Sequence, residues 1–313
     1  MNYTRETIEE ILQEVEKLDK KGKLAFLVGV TKSVGSIQLF KNNKFSLEYE
    51  FKDEDVAFKC YEIIKELFDI ELELGVNSID QKSYTINISG EFANNILKEM
   101  KLSHYENGEF IVEDNSKYVG DISNMEQAKS YMQGVFVSVG SVYFPSGIEE
   151  KGGYHVELVF TEEDYALAVK DMLDECHIHL SYIDRENTYS LYGKNYQLVS
   201  DMLAFVRASN MVLKLFDVNV SREANNNLNR ENNFITANLD KTIIASTKQI
   251  HAIEILDKKI GLDNLDATMA KVCKARIENY EASLNELAEI VGLTKSSLNR
   301  MLNKIIKKSE ELE

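Results

Sequence analysis

The sequence predicts an α+β fold, with two αββαββα pseudo-repeats followed by an all-α C-terminal domain that contains a helix-turn-helix pattern. Three observations predict it. Two segments match at an offset of 105 residues: GVTKSVGSI (Gly29 to Ile37) and GVFVSVGSV (Gly134 to Val142). The stretch 283–308, SLNELAEIVGLTKSSLNRMLNKIIKK, reads as two amphipathic helices around one glycine. Charge divides the chain at the same place as the patterning. From Ser209 onward there are 15 Lys+Arg and 15 Asp+Glu. Subtraction from the totals of 36 and 52 leaves 21 against 37 in residues 1–208, so that part carries the whole net charge of −16.

The elements follow in chain order. The N-terminus, MNYTRETIEEILQEVEKL, is an amphipathic helix of mixed charge, without the basic start and apolar core of a signal peptide. No apolar run approaches the roughly 20 residues that span a bilayer. A cytoplasmic protein without membrane partners is expected.

Downstream of each matching segment, EYEFKDEDVAFKCYEIIKELFDIELEL resembles VELVFTEEDYALAVKDMLDECHIHLSY. Phe51, Glu54, Asp55 and Ala57 correspond to Phe160, Glu163, Asp164 and Ala166, with the spacing drifted by four residues, as an indel in a hairpin loop would leave it. Each copy reads as a helix ending at a Gly-Ser step, two alternating strands, a helix, two more strands and a helix. In the second copy these fall at 125–136, 138–144, 154–160, 162–175, 177–183, 187–192 and 194–207. Thr161 is the expected N-cap of the middle helix, with Asp164 three residues on, so Glu162 to Asp164 read as a helix start and not as catalytic carboxylates.

A unit of this order used twice, with a glycine ending its first helix, resembles the LAGLIDADG homing endonucleases. In that family the two motif helices pack together, and one acid from each holds the metal that cleaves DNA. Set against the motif GLIDADGSI, the catalytic acid falls at Val34 and Val139, and the other acidic position at Lys32 and Val137. Holding Mg²⁺ and activating water need hard oxygen ligands, and valine supplies none. The resemblance therefore implies a retained scaffold, packed through Gly29, Gly35, Gly134 and Gly140, without nuclease chemistry, metal or cofactor.

The remaining inventory is thin. Cys60, Cys176 and Cys273 form no CxxC pair and suggest reduced thiols. Five histidines are scattered. Cys176-His177-Ile178-His179 could place two side chains on one strand face, but it aligns with an ordinary strand of the first copy. No GxGxxG, Walker A, GxSxG or HExxH pattern occurs.

The C-terminal third carries the most specific signal. Ser283 with Glu286 makes a capping box, and Leu284, Leu287, Ala288 and Val291 form the first apolar stripe. Gly292 sits at the turn. Thr294 caps a second helix with apolar Leu298, Met301, Leu302 and Ile305. The outward residues of that helix are Lys295, Ser296, Asn299, Arg300, Asn303, Lys304, Lys307 and Lys308, and no acid occurs from Lys295 to Lys308. Such a face suits phosphates, while Asn and Arg can read base edges. Upstream, Ile235, Leu239, Ile243 and Ile250 mark a helix decorated by Arg230, Asn232, Asn238, Lys241 and Lys248, suited to backbone contacts.

Over its whole length the sequence resembles the WhiA family of bacterial regulators of sporulation and cell division, which join a degenerate LAGLIDADG domain to a helix-turn-helix. NRENNFITANLDKT (229–242) resembles the family's NR…N…ETANL.KT pattern. SYMQGVFVSVGSV (130–142) is similar to SYLRGAFLAGGSV, and TKSSLNRMLNKI (294–305) to SKSGINHRLRKI. In the last, Ser297 replaces a glycine, Arg300 a histidine, and Met301 and Asn303 arginines, which shifts the charge around the helix. The first motif, GVTKSVGSI, departs from the family's MNGSL.

The expected organisation is a degenerate LAGLIDADG-like domain over 1–208 (copies about 1–105 and 123–208), a linker over 209–224, and a helical DNA-binding domain over 225–313. The resemblance implies a non-catalytic, nucleoid-associated DNA-binding regulator of cell division and chromosome segregation. Its expected contacts with double-stranded DNA are Lys295, Ser296, Asn299, Arg300, Asn303, Lys304 and Lys307, supported by Arg230, Asn238 and Lys241. The acidic first domain also suits a protein partner, either transcription machinery or a co-regulator. A metal-dependent endonuclease is the remote alternative.

Overall fold

The computed structural model describes residues 2–40, 44–77, 82–107, 109–112, 124–147, 150 and 152–312. The chain divides into two compact units, Met1–Arg222 and Glu223–Glu313.

The first unit opens with helix α1 (Tyr3–Glu16) and then runs twice through one plan. The first pass is α2 (Lys20–Val34), β1 (Gly35–Phe40), β2 (Lys44–Phe51), α3 (Glu54–Phe68), β3 (Leu74–Asn77), β4 (Ser83–Gly90) and α4 (Glu91–Glu99). A short hairpin follows, β5 (Ser103–Glu106) with β6 (Glu109–Val112). The second pass is α5 (Met125–Val139), β7 (Gly140–Tyr143), β8 (His155–Phe160), α6 (Glu163–Glu175), β9 (Ser181–Arg185), β10 (Thr188–Gly193) and α7 (Tyr196–Phe205). The expected start of the second copy, at 123, lies outside the described residues.

Both four-stranded sheets are antiparallel with the same order, β1-β2-β4-β3 and β7-β8-β10-β9. Their registers coincide: Gly35 pairs with Tyr49 as Gly140 pairs with Leu158, and Tyr49 pairs with Ile86 as Leu158 pairs with Leu191. The four-residue drift arises in the first hairpin: the paired Gly35 and Tyr49 stand 14 apart in sequence, and Gly140 and Leu158 stand 18 apart. By the last strand the offset has returned to 105, since Ile86 matches Leu191. The extra residues sit where a loop absorbs them, so the paired faces stay in phase.

The inner sheet faces, with Leu47, Tyr49, Ile86 and Ile88 in one copy and Val156, Leu158 and Leu191 in the other, bury against the helices. Packing between α2 and α5 sits within this core. Phe26, Leu27, Val30, Val135 and Phe136 are all fully buried there.

Four expectations need correction. Helix α5 continues to Val139, past the expected end at 136, because its β-branched run is buried between helices and burial outweighs strand propensity. The N-cap of α6 is Glu162, not Thr161, and its side chain makes no capping bond. Residues 177–180 are not strand. His177 takes φ 63° beyond the end of α6, and the Ile178 amide donates to Leu173 O at 2.8 Å, closing the helix. His177 and His179 therefore share no strand face, and His179 instead bonds Asp174 at 2.8 Å.

The expected linker over 209–224 is helical. Helix α8 (Ser209–Lys259) begins at Ser209, and Met211 and Leu215 are buried in the first core. Its first amides are capped by Glu10, which accepts from Asn210 at 2.7 Å and Met211 at 3.1 Å. Lys214 pairs with Glu6 at 2.6 Å. An apolar side with a filled N-terminus holds this segment as structure.

In the second unit the later part of α8 packs with α9 (Ala267–Glu278), α10 (Leu284–Val291) and α11 (Lys295–Glu310). Ala252, Ile253, Leu256, Met269, Val272, Leu287, Val291, Leu298, Leu302 and Ile305 form its core.

Candidate nucleic-acid interface

Two places carry the functional argument, one in each unit. In the first, α2 and α5 meet through glycines. A Cβ on Gly29 would lie 2.2 Å from Tyr131 O, and one on Gly134 would lie 2.1 Å from Phe26 O. Each position is three residues after the equivalent of its opposing carbonyl, so the contact is twofold in character. Gly35 and Gly140 have a different constraint: a Cβ there would meet the carbonyl of Thr31 or Phe136 in the last turn of its own helix.

At the ends of this helix pair sit the positions where the nuclease resemblance puts acids. Val34 and Val139 are half-buried and packed on the core, and Val137 is buried. The Lys32 ammonium stands over the Tyr165 ring, 5.3 Å from its centroid. Below it the Tyr131 and Tyr165 hydroxyls bond at 2.8 Å, and burial pushes the Tyr165 phenol up to about 12. These residues do not fit a divalent ion: they offer hydrocarbon and a cation where oxygen ligands are needed. Among the described residues no three His, Cys, Asp or Glu side chains come together as a possible metal site.

The second place is α10–α11. The capping box is present in both directions: the Ser283 amide donates to Glu286 Oε2 at 2.8 Å, and the Glu286 amide to Ser283 Oγ at 3.4 Å. Those bonds hold the Glu286 carboxylate below its ordinary value. Gly292 closes α10 at φ 72°, a conformation costly for any residue with a Cβ. Thr294 then caps α11, accepting from Ser297 N at 3.2 Å.

Leu298, Leu302 and Ile305 are fully buried, which turns the rest of α11 outward. Lys295, Ser296, Asn299, Arg300, Asn303, Lys304 and Lys307 are all exposed. Among the described residues none of the cations Lys295, Arg300, Lys304 and Lys307 has an ion-pair partner. From Lys295 to Lys307 the helix thus presents about 18 Å of uncompensated positive charge with amides interleaved.

Arg230, Asn238 and Lys241 are exposed on α8, where every residue from 226 to 241 is exposed. Arg230, Lys241 and Lys248 follow at intervals of 11 and 7 residues, close to whole turns, and so share one side of the helix, with Phe234 and Asn238 between them. Lys248, one of the polar residues that decorate the sequence pattern, joins this row by its spacing.

Leu228, Ile235, Leu239 and Ile243 lie on the other side, 44–59% exposed. The period of Ile235, Leu239, Ile243 and Ile250 marks a helix correctly, but of these four only Ile250 is even half-buried.

Comparison with known proteins agrees with this architecture. Residues 20–103 match the model of the WhiA N-terminal LAGLIDADG-like domain, 128–225 that of the WhiA LAGLIDADG-like domain, and 228–308 that of the WhiA C-terminal HTH domain. A Clostridium acetobutylicum protein named "Probable cell division protein WhiA" is 32% identical, covering 92% of each chain. A Staphylococcus saprophyticus protein of the same name is 30% identical over 96% of this chain and 93% of its own. The crystal structure of full-length DUF199/WhiA from Thermatoga maritima superposes with a TM-score of 0.54 at 23% identity, covering 97% of this chain and 98% of that one. With the duplicated motif, the signature stretch on α8 and the helix-turn-helix all in place, the chain belongs to the WhiA family.

Proposed function

We propose that this chain is a non-catalytic, DNA-binding transcriptional regulator. It acts on genes of cell division and chromosome segregation, in the cytoplasm and on the nucleoid. The observation that carries the reading is the outer face of α11: four exposed cations and two exposed asparagines, free of acid over its whole contact length. Lys295, Lys304 and Lys307 neutralise phosphates, while Asn299, Arg300 and Asn303 face the base edges and Ser296 the backbone. Arg230, Asn238 and Lys241 on α8 add backbone contacts. The assignment to cell division rests on the names of the relatives. The absence of catalysis rests on Val34, Val139, Lys32 and Val137, which cannot assemble an oxygen-ligated ion.

A mobility-shift titration of the full chain on genomic fragments tests the reading. Arg300→Ala with Lys304→Ala should weaken binding on the order of tenfold or more. Unaltered binding would overturn the site assignment. Supercoiled plasmid incubated with the protein and Mg²⁺ or Mn²⁺ should stay intact, and clean nicking would restore the enzyme reading.

One observation favours an added role for the first unit. Outward on its first sheet stand Glu48 and Glu50, while Lys44 on the same strand is tied to Glu91 at 3.4 Å. Such faces repel phosphates and suit a basic protein partner, of the transcription machinery or a co-regulator. Glu48→Lys with Glu50→Lys in the full chain should lose a partner captured from cell extract. Undiminished capture would reject this docking face.

A further inference from the structure

We infer that Ser246 and Arg276 are positioning residues that lock α8 in register with the helix-turn-helix, so that Arg230, Lys241 and Lys248 engage the same duplex as α11. The inference rests on the DNA-binding reading above and concerns how its two basic surfaces act as one.

The contacts converge on the segment between α9 and α10, residues 279–282. Arg276 is 2% exposed, and its guanidinium donates to Asn279 O at 3.3 Å and Ala282 O at 2.7 Å. Ser246, on α8, donates to Tyr280 O at 2.5 Å. Three carbonyls of one short connection are thus gripped by side chains of two helices. No carboxylate pairs with Arg276 among the described residues, so its charge is balanced by carbonyl dipoles alone. A buried charge held this way is costly, and an apolar residue would fill the space more cheaply. The geometry it fixes is its distinctive product. Residues 279–282 lead directly into the Ser283 capping box, so the grip also sets where α10 starts.

Within the second unit, Ser246 is where burial on α8 begins. Every residue from 226 to 241 is exposed, whereas Ser246, Gln249, Ala252, Ile253 and Leu256 are buried. Within the second unit, Ser246 is therefore the fulcrum nearest the exposed stretch. From there to Arg230 is 16 residues, about 24 Å of helix. A tilt of about 10° at the fulcrum would move Arg230 by about 4 Å, beyond the reach of a phosphate hydrogen bond. Lys248 also pairs with Glu310 at 4.0 Å, an ion pair that ties α8 to the C-terminal end of α11.

The test is a double-mutant cycle on the full chain, with DNA affinity followed by fluorescence anisotropy across a salt series. In the unaltered protein, Arg230→Ala with Lys241→Ala should weaken binding on the order of tenfold and flatten the salt slope by about 2. In a Ser246→Ala, Arg276→Gln background the same two changes should add nothing, while Arg276→Lys, which keeps a donor to the carbonyls, should preserve their effect. Circular dichroism melts confirm folding. If Arg276→Gln prevents it, Ser246→Ala alone carries the cycle. Equal losses from the α8 alanines in both backgrounds, or no loss in the unaltered protein while Arg300→Ala with Lys304→Ala still matters, would overturn the inference alone. Failure of the unaltered chain to bind DNA would overturn the underlying reading and the inference with it.

Discussion

Gly29 and Gly134 are defined by what they exclude. A side chain at either would press on a backbone carbonyl of the opposing helix, and neither helix can yield without opening the buried core around Phe26 and Phe136. Gly134→Val should destabilise the first unit by about 2–4 kcal/mol, read from urea unfolding. A cost near zero would mean that the helices are not in close contact there. The same pair of helix ends shows what the sequence could and could not reveal at this scale. The positions of Val34 and Val139 at the helix ends were legible because the motif fixes them. The ring of Tyr165 under Lys32 was not, because it depends on a contact 133 residues away in sequence. Arg276 was equally hidden. One arginine in a mixed-charge helix reads as a surface residue, and only tertiary packing buries it.

At the level of elements, capping chemistry was the most readable part. Ser283, Gly292 and Thr294 each occupy the position their residue type predicts, since these are local effects that need no distant partner. Ser283→Ala should cost about 1 kcal/mol of stability in the second unit, measured by thermal melts. The Glu286 carboxylate is held below its ordinary value, so its contribution is present above the ordinary carboxylate range and lost as pH falls through the lowered folded-state value. Melts of Glu286→Gln and the unaltered chain should therefore converge in acid and diverge toward neutrality. A constant difference would exclude the ionised contact. Where elements were misread, distance was the cause. The alternation around Val135, Val137 and Val139 imitates a strand, yet α2 packs over it and keeps it helical. Likewise 209–224 looked like a linker because its partners, Glu6 and Glu10, lie two hundred residues earlier.

For the whole molecule, the division of charge is the informative pattern. The first unit repeats one scaffold twice, with strand register maintained in both copies. The net acid lies there, while the second unit presents cations on α8 and α11. At physiological ionic strength charges are screened over about 8 Å, so net acid in one unit leaves the proposed role of the cations in the other open. Both copies, the order of their elements along the chain and the late helices were legible because periodicity and repetition report them directly. The exposed apolar stripe on α8 was not, since a pattern shows which residues share a face and leaves open what covers it.

The most direct measurement is the slope of log affinity against log salt for the full chain on DNA. It should be compared with a variant carrying alanine at Lys295, Arg300, Lys304 and Lys307. Loss of three to four phosphate contacts should flatten the slope by about 3, with affinity falling most at low salt. A slope identical in the two proteins would contradict the assignment of α11 as the DNA-binding surface.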